Sequence, residues 1–172
     1  DEEPAGGAEG VDHLPDPGQG PDLVMVHGWG MSGAVFDSVA RELALNFRVH
    51  LVDLPGYGYS QQTPTGLDGI VESLVTALPA RCHLLGWSLG GMLALLLAAR
   101  HPQRVQSLIT VASSPRFVAE SGWPGTKPEV LTNFAAQLMS DSHKTVDRFL
   151  AIRAMGSPTA RDDVRRLRER VL

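Results

Sequence analysis

Hydrophobic positions begin to cluster at residue 23, and their spacing divides the chain into two parts. Residues 23–27 form a short apolar run that ends at Gly28, the pattern of a strand buried on both faces. Over 34–45, Val35, Phe36, Val39, Ala40 and Leu43 share one helical face, with Ser32 placed as an N-cap. A second apolar run over 47–54 stops at Pro55-Gly56, and 67–78 then reads as helix, 82–86 as strand, 89–100 as helix and 105–112 as strand. Strands alternating with helices imply crossover units, hence a mostly parallel sheet with helices on both faces. After Ser113 no strand pattern follows. Helices are predicted near 129–140, 144–155 and 159–172, the last opened by the N-cap and first-turn pair Ser157-Pro158. The expected organisation is therefore a leader over 1–20 with a poor edge strand near 11–14, an α/β core over 21–114 and a helical lid over 115–172.

Composition narrows the class. With 172 residues, 43% hydrophobic and 20% charged, the chain suits a globular domain with a real core and excludes disordered, collagen-like and coiled-coil classes. Its 15 Lys+Arg against 19 Asp+Glu give a net charge of −4, which offers no electrostatic ground for a nucleic-acid partner. The charge is uneven: residues 1–22 carry seven acids and no Lys or Arg, whereas 144–172 carry eight bases against four acids. Cys82 is the only cysteine, so neither an internal disulfide nor a thiolate zinc site can form, and a reducing, cytoplasmic home is expected. The N-terminus lacks the basic-then-apolar order of a secretory signal, and its start without Met suggests that residues precede it. Residues 82–99 hold no Asp, Glu, Lys or Arg over nearly the length of a membrane span. The interruptions at His83, Gly86, Ser88, Gly90 and Gly91 favour a strand, a turn and a buried helix instead.

Two glycine motifs carry the candidate chemistry. Gly28, Gly30 and Gly33 fit G-x-G-x-x-G after a strand, with Asp53 twenty residues further on, which is the spacing of a dinucleotide site. Bulky Trp29 fits poorly beside a pyrophosphate. Gly86-Trp87-Ser88-Leu89-Gly90 fits G-x-S-x-G between a strand and a helix, a nucleophile elbow whose glycines relieve crowding around a strained serine. The elbow also explains the first motif: acyl transfer needs two N–H donors on the developing oxyanion, one from Leu89 and one from Trp29 in the loop after an earlier strand. Asp53 then reads as the start of a turn.

The stretches HGWG, LVDLPGYGYS, LLGWSLGG and VASSPRF, in this order, resemble the serine esterases of the α/β-hydrolase superfamily. ESGWPGTKPEVL and TVDRFLAIRAMG narrow the resemblance to the carboxylesterases that cleave pimeloyl-[acyl-carrier protein] methyl ester in biotin synthesis. It covers nearly everything from Leu23 to Leu172. It implies Ser88 as nucleophile, Trp29 and Leu89 as acyl-oxygen contacts, and Phe149, Leu150, Ala151, Ile152 and Arg153 as lid residues along the acyl chain. It further implies Lys144, Arg148, Arg161 and Arg165 as contacts to an acidic acyl-carrier protein. At Lys144 the family has arginine; lysine keeps the charge but loses bidentate pairing. No metal, cofactor, membrane or nucleic acid is implied, and the complete form is expected to be a monomer. The rival readings are a general short-chain esterase or thioesterase, a non-catalytic binding remnant and, more distantly, a dinucleotide-dependent oxidoreductase.

One element of the chemistry is missing. A serine hydroxyl needs a general base oriented by a carboxylate, and in this fold both follow the serine, at the ends of later strands. Only 84 residues follow Ser88. His101 reads as a helix terminator, His143 as part of a helix cap and His27 as structural, while His13, His50 and His83 show no partner pattern. The triad acid and base are not found. The expectation is the N-terminal part of an esterase, with the strand over 105–112 left as an exposed, aggregation-prone edge.

Overall fold

The computed structural model describes residues 11–12, 14, 16–60 and 66–171, and the chain divides into two compact units, Asp1–Pro115 and Arg116–Leu172. The first unit is a sheet of β1 (Val11–Asp12), β2 (Asp22–Val26), β3 (Arg48–Val52), β4 (Cys82–Trp87) and β5 (Val105–Val111) in the order β1-β3-β2-β4-β5. β1 runs antiparallel to β3, and β2, β3, β4 and β5 are mutually parallel. The leader's short edge strand is thus present, while residues 1–10 of that leader lie outside the described residues. Between the parallel strands run α1 (Asp37–Leu43), α2 (Gly66–Ala77) and α3 (Leu89–Arg100).

Side-chain alternation along β2 builds two cores. Val24 and Val26 point to one face, where they meet Val52, Leu54, Val71, Leu74, Leu93, Ala94 and Leu97; Leu23 and Met25 point to the other, against Val49, Leu51, Phe36 and Ala40. The uncharged stretch over 82–99 is β4 followed by α3, and no helix among the described residues is long and apolar enough to cross a membrane. β5 pairs with β4 and forms the other edge of the sheet; Ile109 and Val111 on it are 50% and 44% exposed.

The helix expected over 34–45 is shorter than its periodicity suggests. A 3-10 turn over Gly33–Phe36 precedes α1, and the Ser32 side chain makes no capping bond. The Asp53 carboxylate, twenty residues away, takes the Gly33 N–H at 2.7 Å instead, which removes the need for a local cap.

The second unit holds α4 (Pro128–Ser140), α5 (Ser142–Arg153) and α6 (Ala160–Val171). Asp141 caps α5 by accepting the Lys144 N–H at 3.0 Å. α6 begins one residue later than expected, because Ser157 and Thr159 both donate to the Asp163 carboxylate, at 2.7 and 3.0 Å, and order the turn ahead of it. These bonds hold the Asp163 carboxyl below its ordinary range, the Ser157 hydroxyl contributing most. Ring contact between Phe134 and Phe149, 6.0 Å apart, joins α4 to α5, and an Arg168–Asp147 ion pair at 2.7 Å joins α6 to α5.

Candidate active site

Ser88 sits between β4 and α3 at φ 55, ψ −116, a conformation that costs a non-glycine residue roughly 1–3 kcal/mol and persists only where the surroundings over-determine it. They do so here from both sides. The Ser88 N–H donates to the Val111 carbonyl at 2.9 Å, and its own carbonyl accepts from Gly91 N at 3.0 Å, Met92 N at 3.2 Å and the Ser113 hydroxyl at 2.7 Å. The glycines answer to crowding: a Cβ on Gly86 would lie 2.4 Å from the Gly90 carbonyl oxygen, and one on Gly90 would lie 2.1 Å from that of Val26. Leu89 opens α3, so its N–H has no acceptor within the helix.

The loop after β2 lies against this elbow. A Cβ on Gly28 would be 3.3 Å from the Ser88 Cβ and 3.4 Å from the Trp87 carbonyl oxygen, which puts the start of the loop that carries Trp29 beside the serine. The loop turns through a Met31 N–H to Gly28 carbonyl bond at 3.3 Å, with Gly30 at φ 73. Ser88, Leu89 and the Trp29 loop, read from separate motifs, are therefore brought together.

Asp53 is more than a turn residue. It is buried, and its two oxygens accept backbone N–H groups, Gly33 at 2.7 Å and Tyr59 at 2.8 Å. A carboxylate so engaged, with no room at Gly58 beside it, is not presented to a ribose, and the dinucleotide reading loses its acidic residue. Its partnership with Gly33 and Tyr59, like the bond from Ser113 to Ser88, was not legible in local sequence.

The histidines are placed away from general-base work. His27 is fully buried, its Nε2 accepting the Leu54 N–H at 3.0 Å and its Nδ1 donating to the Gly28 carbonyl at 2.8 Å. Burial pushes it below its ordinary pKa, against smaller opposing effects of the Gly28 carbonyl and the Asp53 charge. His50 bonds Asp22 at 2.7 Å, His83 bonds Ser107 at 2.7 Å, and His101 faces Glu72 at 3.5 Å. His143 lies exposed in the first turn of α5, and His13 falls outside the described residues. No histidine or carboxylate among the described residues bonds the Ser88 hydroxyl.

In the second unit the five consecutive positions taken together in the sequence point in different directions. Phe149 and Ile152 line a groove of about 250 Å³ with Val130, Phe134 and Arg148. Leu150 is fully buried, Ala151 is exposed, and the Arg153 guanidinium lies 4.8 Å over the Phe149 ring. Of the four basic positions, Lys144 and Arg148 share a second, more open groove on α4 and α5. Arg165 pairs with Asp162 at 3.2 Å, and Arg161 is exposed near the start of α6.

A family model described as alpha/beta hydrolase fold matches residues 21–170. The chain belongs to the α/β-hydrolase fold family. The chain is 55% identical over 154 residues to the pimeloyl-[acyl-carrier protein] methyl ester esterase of Aeromonas salmonicida (strain A449), an alignment covering 88% of the chain and 61% of that protein. It is 51% identical over 156 residues to the protein of the same name from Vibrio cholerae serotype O1, covering 90% and 61%. The chain thus spans about 61% of the length of these curated relatives. Among solved structures it resembles an esterase from Exiguobacterium antarcticum with a TM-score of 0.80 and 25% identity, over 92% of this chain and 62% of that one.

Proposed function

We propose that this chain carries the nucleophile and oxyanion site of a carboxylic ester hydrolase whose substrate is the methyl ester of a pimeloyl chain held on an acyl-carrier protein. The observation that carries the proposal is Ser88, held at φ 55 on a glycine-lined elbow with the Trp29 loop beside it. Ser88 Oγ attacks the ester carbonyl, the N–H groups of Leu89 and Trp29 stabilise the oxyanion, methanol leaves, and water then releases the acid from the acyl-enzyme. The base that takes the serine proton and the carboxylate that orients it are not assigned among the described residues.

Support for the substrate comes from the name that the 55%-identical relative bears and from the second unit. The apolar Phe134–Phe149–Ile152 groove suits an acyl chain, and Lys144, Arg148, Arg161 and Arg165 suit an acidic carrier. Lys144 with Arg148, and Arg161 with Arg165, are like charges four residues apart, an arrangement that an anionic partner would relieve. A cytoplasmic setting fits this chemistry and the single Cys82.

The test is methanol release from pimeloyl-carrier methyl ester beside hydrolysis of a short p-nitrophenyl ester, each with Ser88→Ala at matched concentration. Preference for the carrier-bound ester, lost in the variant, is the expected result. Equal turnover of both esters would favour a general short-chain esterase. Turnover of neither would leave a binding remnant.

A further inference from the structure

A loop built as Gly28-Trp29-Gly30 is intrinsically soft: Gly30 sits at φ 73 with nothing within 4 Å of where a Cβ would stand, so neither sterics nor packing there fixes the peptide plane. The structure holds the loop by three side chains. On the near side of Trp29, His27 Nδ1 donates to the Gly28 carbonyl at 2.8 Å while Nε2 accepts the Leu54 N–H at 3.0 Å, so the ring ties the loop to the segment leaving β3. On the far side, the phenol oxygen of Tyr57 meets the backbone amide of Gly30, its ring packed edge-on against His27 at 5.4 Å. Further along, Asp53 takes the Gly33 N–H with one oxygen at 2.7 Å and the Tyr59 N–H with the other at 2.8 Å. Two of the three side chains come from the segment after β3, whose register beside β2 is fixed from Asp22↔Arg48 to Val26↔Val52.

We infer that His27, Asp53 and Tyr57 are positioning residues, a clamp that sets the Trp29 N–H beside Ser88 before any substrate arrives. The inference rests on the proposed role of Trp29 as an oxyanion donor. An oxyanion site gains most from donors that need no reorganisation when charge develops. Bonds on either side of Trp29, to Gly28 and Gly30, restrain the peptide between them. His27 serves only as the neutral Nδ1–H tautomer, because a second ring proton would meet the Leu54 N–H head-on. A clamp of this kind acts on charge stabilisation in the transition state, so it affects kcat rather than KM.

Tyr57→Phe tests it with the smallest perturbation: the ring stays against His27 and only the oxygen goes. Amide hydrogen exchange at Trp29 and Gly30 is expected to speed up about tenfold, while Val24 in β2 and Leu84 in β4 exchange as before. Ser88-dependent hydrolysis of a p-nitrophenyl ester should lose about tenfold or more in kcat at unchanged KM. Asp53→Asn, which keeps size but removes one acceptor's full charge, should loosen Gly33 in the same way. Unchanged exchange at Trp29 and Gly30 in Tyr57→Phe would overturn the clamp, whatever the hydrolysis shows. Faster exchange with kcat intact would overturn its link to the oxyanion. Should wild type show no Ser88-dependent hydrolysis, the esterase reading falls, and the exchange data still decide whether the three side chains hold the loop.

Discussion

Replacing Gly90 with alanine adds one methyl group at the point where α3 meets the end of β2. That carbon would stand 2.1 Å from the Val26 carbonyl oxygen, 2.5 Å from that of His27 and 2.6 Å from the Val26 carbonyl carbon. Ordinary non-bonded contact lies near ~3.5 Å, so the helix must retreat by about 1 Å or more, and the obstacle is backbone that cannot rotate aside. Retreat loosens the stripe of Leu93, Ala94 and Leu97, each no more than 1% exposed against the sheet. Alanine is the better helix former by about 1 kcal/mol, whereas overpacking a tight core costs roughly 1–3 kcal/mol and more where backbone must move. The obstacle is backbone, so the overpacking cost sits at or above ~3 kcal/mol, and less the ~1 kcal/mol of propensity the net loss is about 2 kcal/mol or more, a large share of a domain's stability. Gly30→Ala is the internal control: its Cβ meets nothing within 4 Å, and only the positive φ resists, at about 1–2 kcal/mol. Urea unfolding followed by far-ultraviolet circular dichroism ranks the two variants. A Gly90→Ala midpoint at or above wild type, or a Gly30→Ala loss larger than that of Gly90→Ala, would refute the close approach of helix and strand.

Three further outcomes are expected. One Arg104 Nη donates to the carbonyls of Val75, Leu78 and Pro79 at 2.9, 2.9 and 3.0 Å, closing the C-terminal end of α2, so Arg104→Ala should lower the unfolding free energy by about 2 kcal/mol; a change below about 0.5 kcal/mol would contradict the cap. His27 carries a lowered pKa from burial, so below its ordinary value of 6.5 the unfolded chain binds a proton that the folded chain refuses. Stability is then lost as the pH falls from 6.5 toward the folded value, and the urea midpoint should drop between about pH 7.5 and pH 5.5, with a smaller drop in His27→Gln. Ile109 and Val111 lie exposed on the edge strand β5, so the chain should self-associate with rising concentration, and Ile109→Lys should reduce that association several-fold in light scattering without changing the unfolding free energy by more than about 0.5 kcal/mol.

The elements that local pattern specifies were legible. Residues 23–26 alternate between two apolar faces, and α3 has the bounds its sequence implies, because a strained serine starts it and His101-Pro102 stops it. The start of α1 was not legible, since the first N–H of the 3-10 turn ahead of it, that of Gly33, is satisfied by Asp53 just beyond β3, and the sequence near Ser32 suggests a cap that the side chain does not make. The run Phe149, Leu150, Ala151, Ile152 and Arg153 spans more than a full turn of α5, so its members do not share one face of that helix. Leu150 is accordingly buried while Ile152 is 56% exposed.

The two glycine motifs show why spacing alone misleads. G-x-G-x-x-G marks a dinucleotide site when the N–H groups at the helix start face open space and can receive a phosphate. Here the Gly33 N–H at that helix start already donates to a carboxylate, and the Asp53 charge behind it would repel a phosphate rather than attract one. The same three glycines are instead explained by what lies beside them: Gly28 must pass within contact of the Ser88 Cβ, Gly30 must turn at positive φ, and Gly33 must fit against Leu51, whose Cβ lies 3.1 Å from where its own would be. What decides between the readings is the occupant of the helix start. That occupant comes from the neighbouring strand, so only the parallel pairing of β2 with β3 makes it visible.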